Sequence, residues 1–177
     1  MNRSSKVNLL SLAAIIVACS GVSLYASSRY MIGYDDQTHR CLDEKFFVID
    51  KWKKPTIQSL ERYDLVAVAM REDQRPEHAL WSEGQVMVKR LLASQVGDKM
   101  KVESDGVIFE NSSEKWEWGT ALEASEMLRL DADDLERTIT LQNGEFFLMG
   151  DKPFSYDSRY YGPANENQII GRVVWAF

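Results

Sequence analysis

The six residues MNRSSK are followed by VNLLSLAAIIVACSGVSLYASS, an uncharged run over residues 7–28 that ends at Arg29. About 20 apolar residues suffice to cross the hydrocarbon core of a bilayer, so this run constrains everything after it. Arg3 and Lys6 precede it, and positive residues stay on the cytoplasmic side. The expected organisation is a cytoplasmic tail over residues 1–6, a single transmembrane signal-anchor over 7–28, and a domain over 29–177 outside the cytoplasm. That places the anchor in a bacterial inner membrane and the domain in the periplasm.

Two other readings put the domain in the same compartment. Ile16-Val17-Ala18-Cys19 has the form of a lipobox, with Cys19 as the acylated residue. An ordinarily cleaved signal peptide is the other. The remaining length suits one domain. Apolar content of 45% against 27% charged residues is too high for a disordered chain. A net charge of −6 with no basic stripe argues against a nucleic-acid partner. Two cysteines, Cys19 and Cys41, and two histidines, His39 and His78, leave no disulfide framework and no four-ligand metal site, so neither metal nor cofactor is expected.

The body reads as strands. FFVIDKW (46–52), DLVAVAM (64–70), QVMVKRLLA (85–93), KMKVESDGVIFEN (99–111), RTITL (137–141), EFFLMG (145–150) and QIIGRVVWAF (168–177) are short and rich in β-branched and aromatic residues. Gly97-Asp98, Asp105-Gly106 and Asn143-Gly144 supply turns between them. Only residues 121–136 carry a helical pattern, with Leu122, Met127, Leu128 and Leu135 on one face. The expected fold is mainly β with a short helical insertion behind one membrane helix. Five tryptophans are many for such a core; Trp116-Glu117-Trp118 reads either as an interfacial anchor or as ordinary strand packing.

Three places carry candidate chemistry. Lys89 lies inside the apolar run VMVKRLL; buried, its charged form is disfavoured and a neutral amine can take a proton, whereas by strand alternation it faces solvent beside Met87 and Leu91. Cys41 precedes a strong strand and has no intrachain partner if Cys19 lies in lipid, so it is either a reactive thiol or a buried structural one. The loop GDKPFSYDSRYYG, between two apolar strands, collects Asp151, Ser155, Asp157, Ser158 and Arg159. Taken alone it is a functional loop or a polar hairpin held by its own salt bridge.

In order along the chain, the anchor, Cys41-Leu42, Arg62-Tyr63-Asp64-Leu65-Val66, Val88-Lys89-Arg90 with Gly97-Asp98, and Asp157-Ser158-Arg159 with Gly162 and Gly171-Arg172 resemble the type I signal peptidases. The likeness is nearest to the variants carried with conjugative plasmid transfer systems. It covers most of residues 37–177. Where the family has Ser-x-x-Pro or Ser-x-Pro, this chain has Cys41-Leu42-Asp43, and His39 stands where the family often has a hydroxyl.

The resemblance implies a signal-peptidase-like β domain and a peptidase acting on a preprotein or prepilin at the lipid bilayer, with other transfer-apparatus proteins as partners. It implies Cys41 as nucleophile, Lys89 as base, the Cys41 backbone N–H with His39 as oxyanion donors, and Ser155, Asp157, Ser158 and Arg159 in support. A thiol beside a cation is easier to activate than a hydroxyl. The competing implication, from the missing Ser and Pro, is an inactive relative serving as a scaffold or binding component of a secretion apparatus.

Overall fold

The computed structural model describes residues 3–52, 54–75, 84–111, 113–118, 123, 125 and 128–177. His78 and Trp81 lie outside these, as do Leu122 and Met127 of the expected helical face. Helix α1 runs from Arg3 to Arg29 and passes without a linker into β1 (Tyr30–Tyr34). Its Ser11–Arg29 portion is long and apolar enough to cross a membrane, and it meets the body only near its end. Arg29 at its end bonds Asp50 through Nε and Nη2, at 3.0 and 2.6 Å, and the Tyr25 hydroxyl through Nη1. Tyr25 also meets the Trp52 ring at 6.0 Å.

The body is two antiparallel sheets. The larger has the order β1-β2-β11-β3-β4-β9-β10, with β2 at Phe46–Asp50, β3 at Leu65–Ala69, β4 at Val86–Ala93, β9 at Glu145–Met149, β10 at Ala164–Asn165 and β11 at Ile169–Ala176. The smaller has the order β7-β6-β5-β8, with β5 at Lys99–Glu103, β6 at Gly106–Glu110, β7 at Lys115–Trp118 and β8 at Arg137–Thr140. Each strand read from the sequence is present. The turns also form as expected: Gly97 and Gly144 take positive φ, 90° and 80°, which glycine adopts without steric cost. In the region 121–136 the described helical residues are Ser125, Leu128 and the turn Ala132–Leu135.

Three clusters make the core. Met70, Leu92, Met100, Phe109, Leu141, Phe147 and Met149 join the two sheets. Val66, Val68, Leu91, Phe146, Leu148 and Ile169 fill the larger sheet. Leu42, Phe47, Ile49 and Ala67 form a third cluster, against which Cys41 packs. Tyr63 sits at φ 73°, a region that side chains enter at a cost, and stacks on Trp118 of the second sheet at 5.7 Å. Trp118 is therefore a packing residue rather than an interfacial anchor.

Gly171 lies in β11 next to a register shift, where a Cβ would stand 2.3 Å from the Asp50 carbonyl oxygen. Backbone cannot yield as a side-chain tip can. Gly171→Ala is expected to cost about 1–3 kcal/mol, as overpacking does. At Gly33 the nearest atoms are 3.6 Å away, so Gly33→Ala should leave stability nearly unchanged. Thermal unfolding of the two variants side by side checks this.

Candidate active site

A cleft of about 700 Å³ opens between β1, the loop that follows it and the first half of β4. Its floor is apolar, with Met31, Leu42, Phe47, Ile49 and Met87, and Cys41 and Lys89 both line it. Among the described residues β4 is paired from Val86 to Lys89 with β3 alone; β9 joins from Arg90 onward. Among the described residues no strand pairs with the edge of β4 that faces the cleft, or with the outer edge of β1.

Lys89 pairs in register with the wholly buried Val66 and is itself only 1% exposed. Alternation is a poor guide here because both faces of β4 are covered: Leu91, Leu92 and Ala93 are all buried in succession. The loop 151–157 covers Lys89, and its Nζ donates to the Ser155 hydroxyl at 2.9 Å. Burial and this hydrogen bond hold the amine in a fixed position at the cleft.

The loop that carries Ser155 is fixed from below. Arg159 grips Asp157 in a bidentate pair, Nε to Oδ1 at 2.8 Å and Nη2 to Oδ2 at 2.9 Å, with both side chains 0% exposed. Burial opposes the charge on Asp157, but Arg159 outweighs it, aided by the Lys89 amine when protonated and by the Gly150 N–H at 2.9 Å. The carboxyl is held below its ordinary range. Burial likewise opposes the Arg159 charge and the same partner more than offsets it. Arg159 also donates to the Ser155 carbonyl at 2.8 Å. Ser158 accepts from the Leu148 N–H at 3.0 Å, tying the loop to β9.

Cys41 is anchored to the same loop. Its carbonyl accepts from the N–H groups of Asp151, at 2.8 Å, and Lys152, at 3.2 Å. Asp151 is in turn held by Arg90, with two bonds of 2.7 Å, and Lys152 pairs with Asp43. His39 is exposed at the cleft wall, its ring 5.1 Å from that of Phe154. The sequence reading thus named Cys41, Lys89, His39, Ser155, Asp157, Ser158 and Arg159, and all of them lie at the cleft or in the loop behind it. It missed Gly150, Phe154 and the Arg90–Asp151 and Asp43–Lys152 pairs. Arg90 directly follows Lys89 and Asp151 opens the charged loop, but nothing in one sequence announces that they meet.

A thiol and a buried amine on one cleft, the amine oriented by a hydroxyl, is the layout of base-assisted acyl transfer. The chain belongs to the signal peptidase family, peptidase S26, whose family model matches residues 5–177. It is similar to the crystal structure of a signal peptidase I from Enterococcus faecalis V583, at 22% identity and a TM-score of 0.40, over 68% of this chain and 97% of that one. No curated protein matches the sequence closely enough to count as a relative.

Two predictions follow from the loop. A Cβ on Gly150 would lie 2.2 Å from Ser155 Oγ and 2.5 Å from the Cys41 carbonyl oxygen, so Gly150→Ala must displace the support of Lys89 and the Cys41 loop together. A fold that survives with peptidase activity lost by about a hundredfold is the expected result. Asp157→Ala leaves the buried Arg159 without its carboxylate partner and should cost about 3–5 kcal/mol. Because the folded-state pKa of Asp157 is depressed, its contribution is fully present above about pH 4, the unfolded value, and fades as pH falls through the folded one. Thermal melts between pH 7 and 2 should therefore show a steeper acid loss in the native protein than in Asp157→Asn.

Proposed function

We propose that the protein is a membrane-anchored endopeptidase that matures an exported protein through a Cys41–Lys89 pair. The observation that carries this reading is the Lys89 ε-amine, buried and bonded to Ser155 on the cleft that Cys41 lines. The neutral amine takes the proton of the Cys41 thiol, and the thiolate attacks the scissile carbonyl. The backbone N–H of Cys41 and the His39 side chain serve the oxyanion, where each donor is worth about 3–4 kcal/mol. The ammonium of Lys89 protonates the departing amine, leaving a thioester. Lys89 then takes a proton from water, whose oxygen attacks the thioester and releases Cys41. Ser155 orients the amine throughout, while Asp157, Ser158 and Arg159 hold Ser155.

An extended substrate is served by the open edges of β1 and β4, along which a peptide adds as a strand with small side chains entering the apolar floor. An aromatic row supports work at a bilayer surface. Tyr34 meets Phe46 at 4.7 Å, Phe46 stacks on Phe177 at 4.9 Å, and Phe177 meets Trp175 at 4.6 Å. All four rings are exposed, at the end of β1, the start of β2, and the end of β11 and of the chain after it. Aromatic rings of this kind favour the headgroup region. In this reading residues 1–6 are cytoplasmic, 7–28 span the inner membrane and 29–177 lie in the periplasm. The likeness of the order of sequence blocks to the plasmid-type members makes a pilin or another conjugative-transfer or type IV secretion component the proposed substrate.

One observation favours the inactive scaffold instead: Asp43, tied to Lys152, stands where the family has proline, next to a thiol in place of the hydroxyl. Mutation separates the two. Lys89→Ala and Cys41→Ala should each abolish maturation of the exported partner in cells, and the double variant should be no worse, because groups acting as one unit do not add. Cys41→Ser should retain low but measurable processing. Normal maturation with Cys41→Ala leaves the scaffold. For topology, a reporter fused after Phe177 should function only when exported; activity confined to the cytoplasm overturns the orientation.

A further inference from the structure

Arg137 opens β8 on the side of the strand shared by Ile139, which packs on the core, while Thr138 and Thr140 face solvent. A half-buried arginine there should meet a carboxylate. Instead its Nη2 donates to two backbone carbonyls, of Arg159 at 3.2 Å and Tyr160 at 2.8 Å. Burial disfavours its charge and only the Tyr156 hydroxyl opposes that effect; no acidic side chain among the described residues contributes. The guanidinium lines a pocket of about 550 Å³ whose walls are Leu130, Leu135, Ile139, Tyr160 and Tyr161. The other charges on the pocket are already engaged: Asp73 by Arg71, and Arg75 by Glu72 at 2.9 Å. Among the described residues the pocket therefore presents a positive charge, that of Arg137, with no carboxylate against it inside an apolar, aromatic enclosure.

A second observation concerns the strand itself. β8 ends the four-stranded sheet and is bonded on one side only, to β5; its other edge carries no strand among the described residues. Such an edge offers a row of free N–H and C=O groups to an extended chain. Edge, apolar pocket and cation occur together at Arg137–Ile139.

We propose that the β8 edge and this pocket bind the C-terminal end of a peptide, with the chain adding along β8, its last apolar side chain between Leu135, Ile139 and the tyrosines, and its terminal carboxylate on Arg137. The site is separate from the cleft but backs onto the loop that braces Lys89, because the carbonyls Arg137 holds belong to Arg159 and Tyr160. Tyr156 lines both cavities.

The test uses the full chain carrying Cys41→Ala, in lipid nanodiscs, with ring-labelled tyrosine followed by NMR. The probe is an acetylated hexapeptide ending in Val-Phe with a free carboxylate. Saturable shifts of the pocket tyrosines are expected, with Kd raised about tenfold or more for the same peptide as its C-terminal amide, since a charge-assisted pair is lost. Arg137→Gln should weaken the acid to the same degree. Leu130→Asp, at a position 39% exposed, should do so with an unchanged melting temperature, which keeps the test independent of folding. Equal binding of acid and amide, unchanged affinity in both variants, or no saturable shift at millimolar peptide each overturns the site. N-acetylphenylalanine binding as tightly as the hexapeptide overturns the strand addition.

Discussion

The buried pair of Asp157 and Arg159 is the constraint on which the cleft depends. Two charges without solvent are costly to bury, and their attraction offsets that cost only when every remaining donor and acceptor is used. Here they are: Asp157 also receives the Gly150 N–H, and Arg159 also reaches the Ser155 carbonyl. The pair therefore fixes both ends of the loop that runs from Gly150 to Ser155. A fold could be made as stable with apolar groups at these positions. It could not then hold a hydroxyl 2.9 Å from a buried amine.

From that loop the arrangement extends outward. Asp151 and Lys152 donate their backbone N–H groups to the Cys41 carbonyl, and each side chain makes an ion pair, to Arg90 and to Asp43. The Arg90 pair adds a direct tie between the strand of the amine and the loop that orients it. The thiol and the amine reach the cleft from different strands, β4 and the segment before β2, and one loop positions both. Side chains locked in this way hold a fixed geometry. The apolar cluster under Cys41, with Leu42, Phe47 and Ile49, closes the floor beneath them.

Much of this was legible in the sequence because its signals are local. Alternating strands, the glycine turns at Gly97 and Gly144 and the uncharged run before Arg29 each follow from a few adjacent residues. The short strands β1, at YMIGY, and β10, at Ala164–Asn165, were not, since they form only by pairing with β2 and β9. Lys89 shows the limit most clearly. Periodicity left its side open, because burial there comes from a loop more than sixty residues away and not from the strand's own pattern. The reach of Asp151 to Arg90 is of the same kind, as is the close fit at Gly150. Resemblance to the signal peptidases supplied what pattern could not, and the family match over residues 5–177 bears it out at the level of the family.

The central claim is that Lys89 activates Cys41, and thiol alkylation tests it without a substrate. The second cysteine, Cys19, is removed by Cys19→Ala, and the rate of Cys41 modification by iodoacetamide is followed by mass spectrometry from pH 5 to 10. With Lys89 in place to take the thiol proton, Cys41 should be modified readily at neutral pH. Lys89→Ala should slow the neutral-pH rate by about tenfold or more while converging with the parent at high pH, where every thiol is ionised. Superimposable rate profiles for the two proteins would contradict the account.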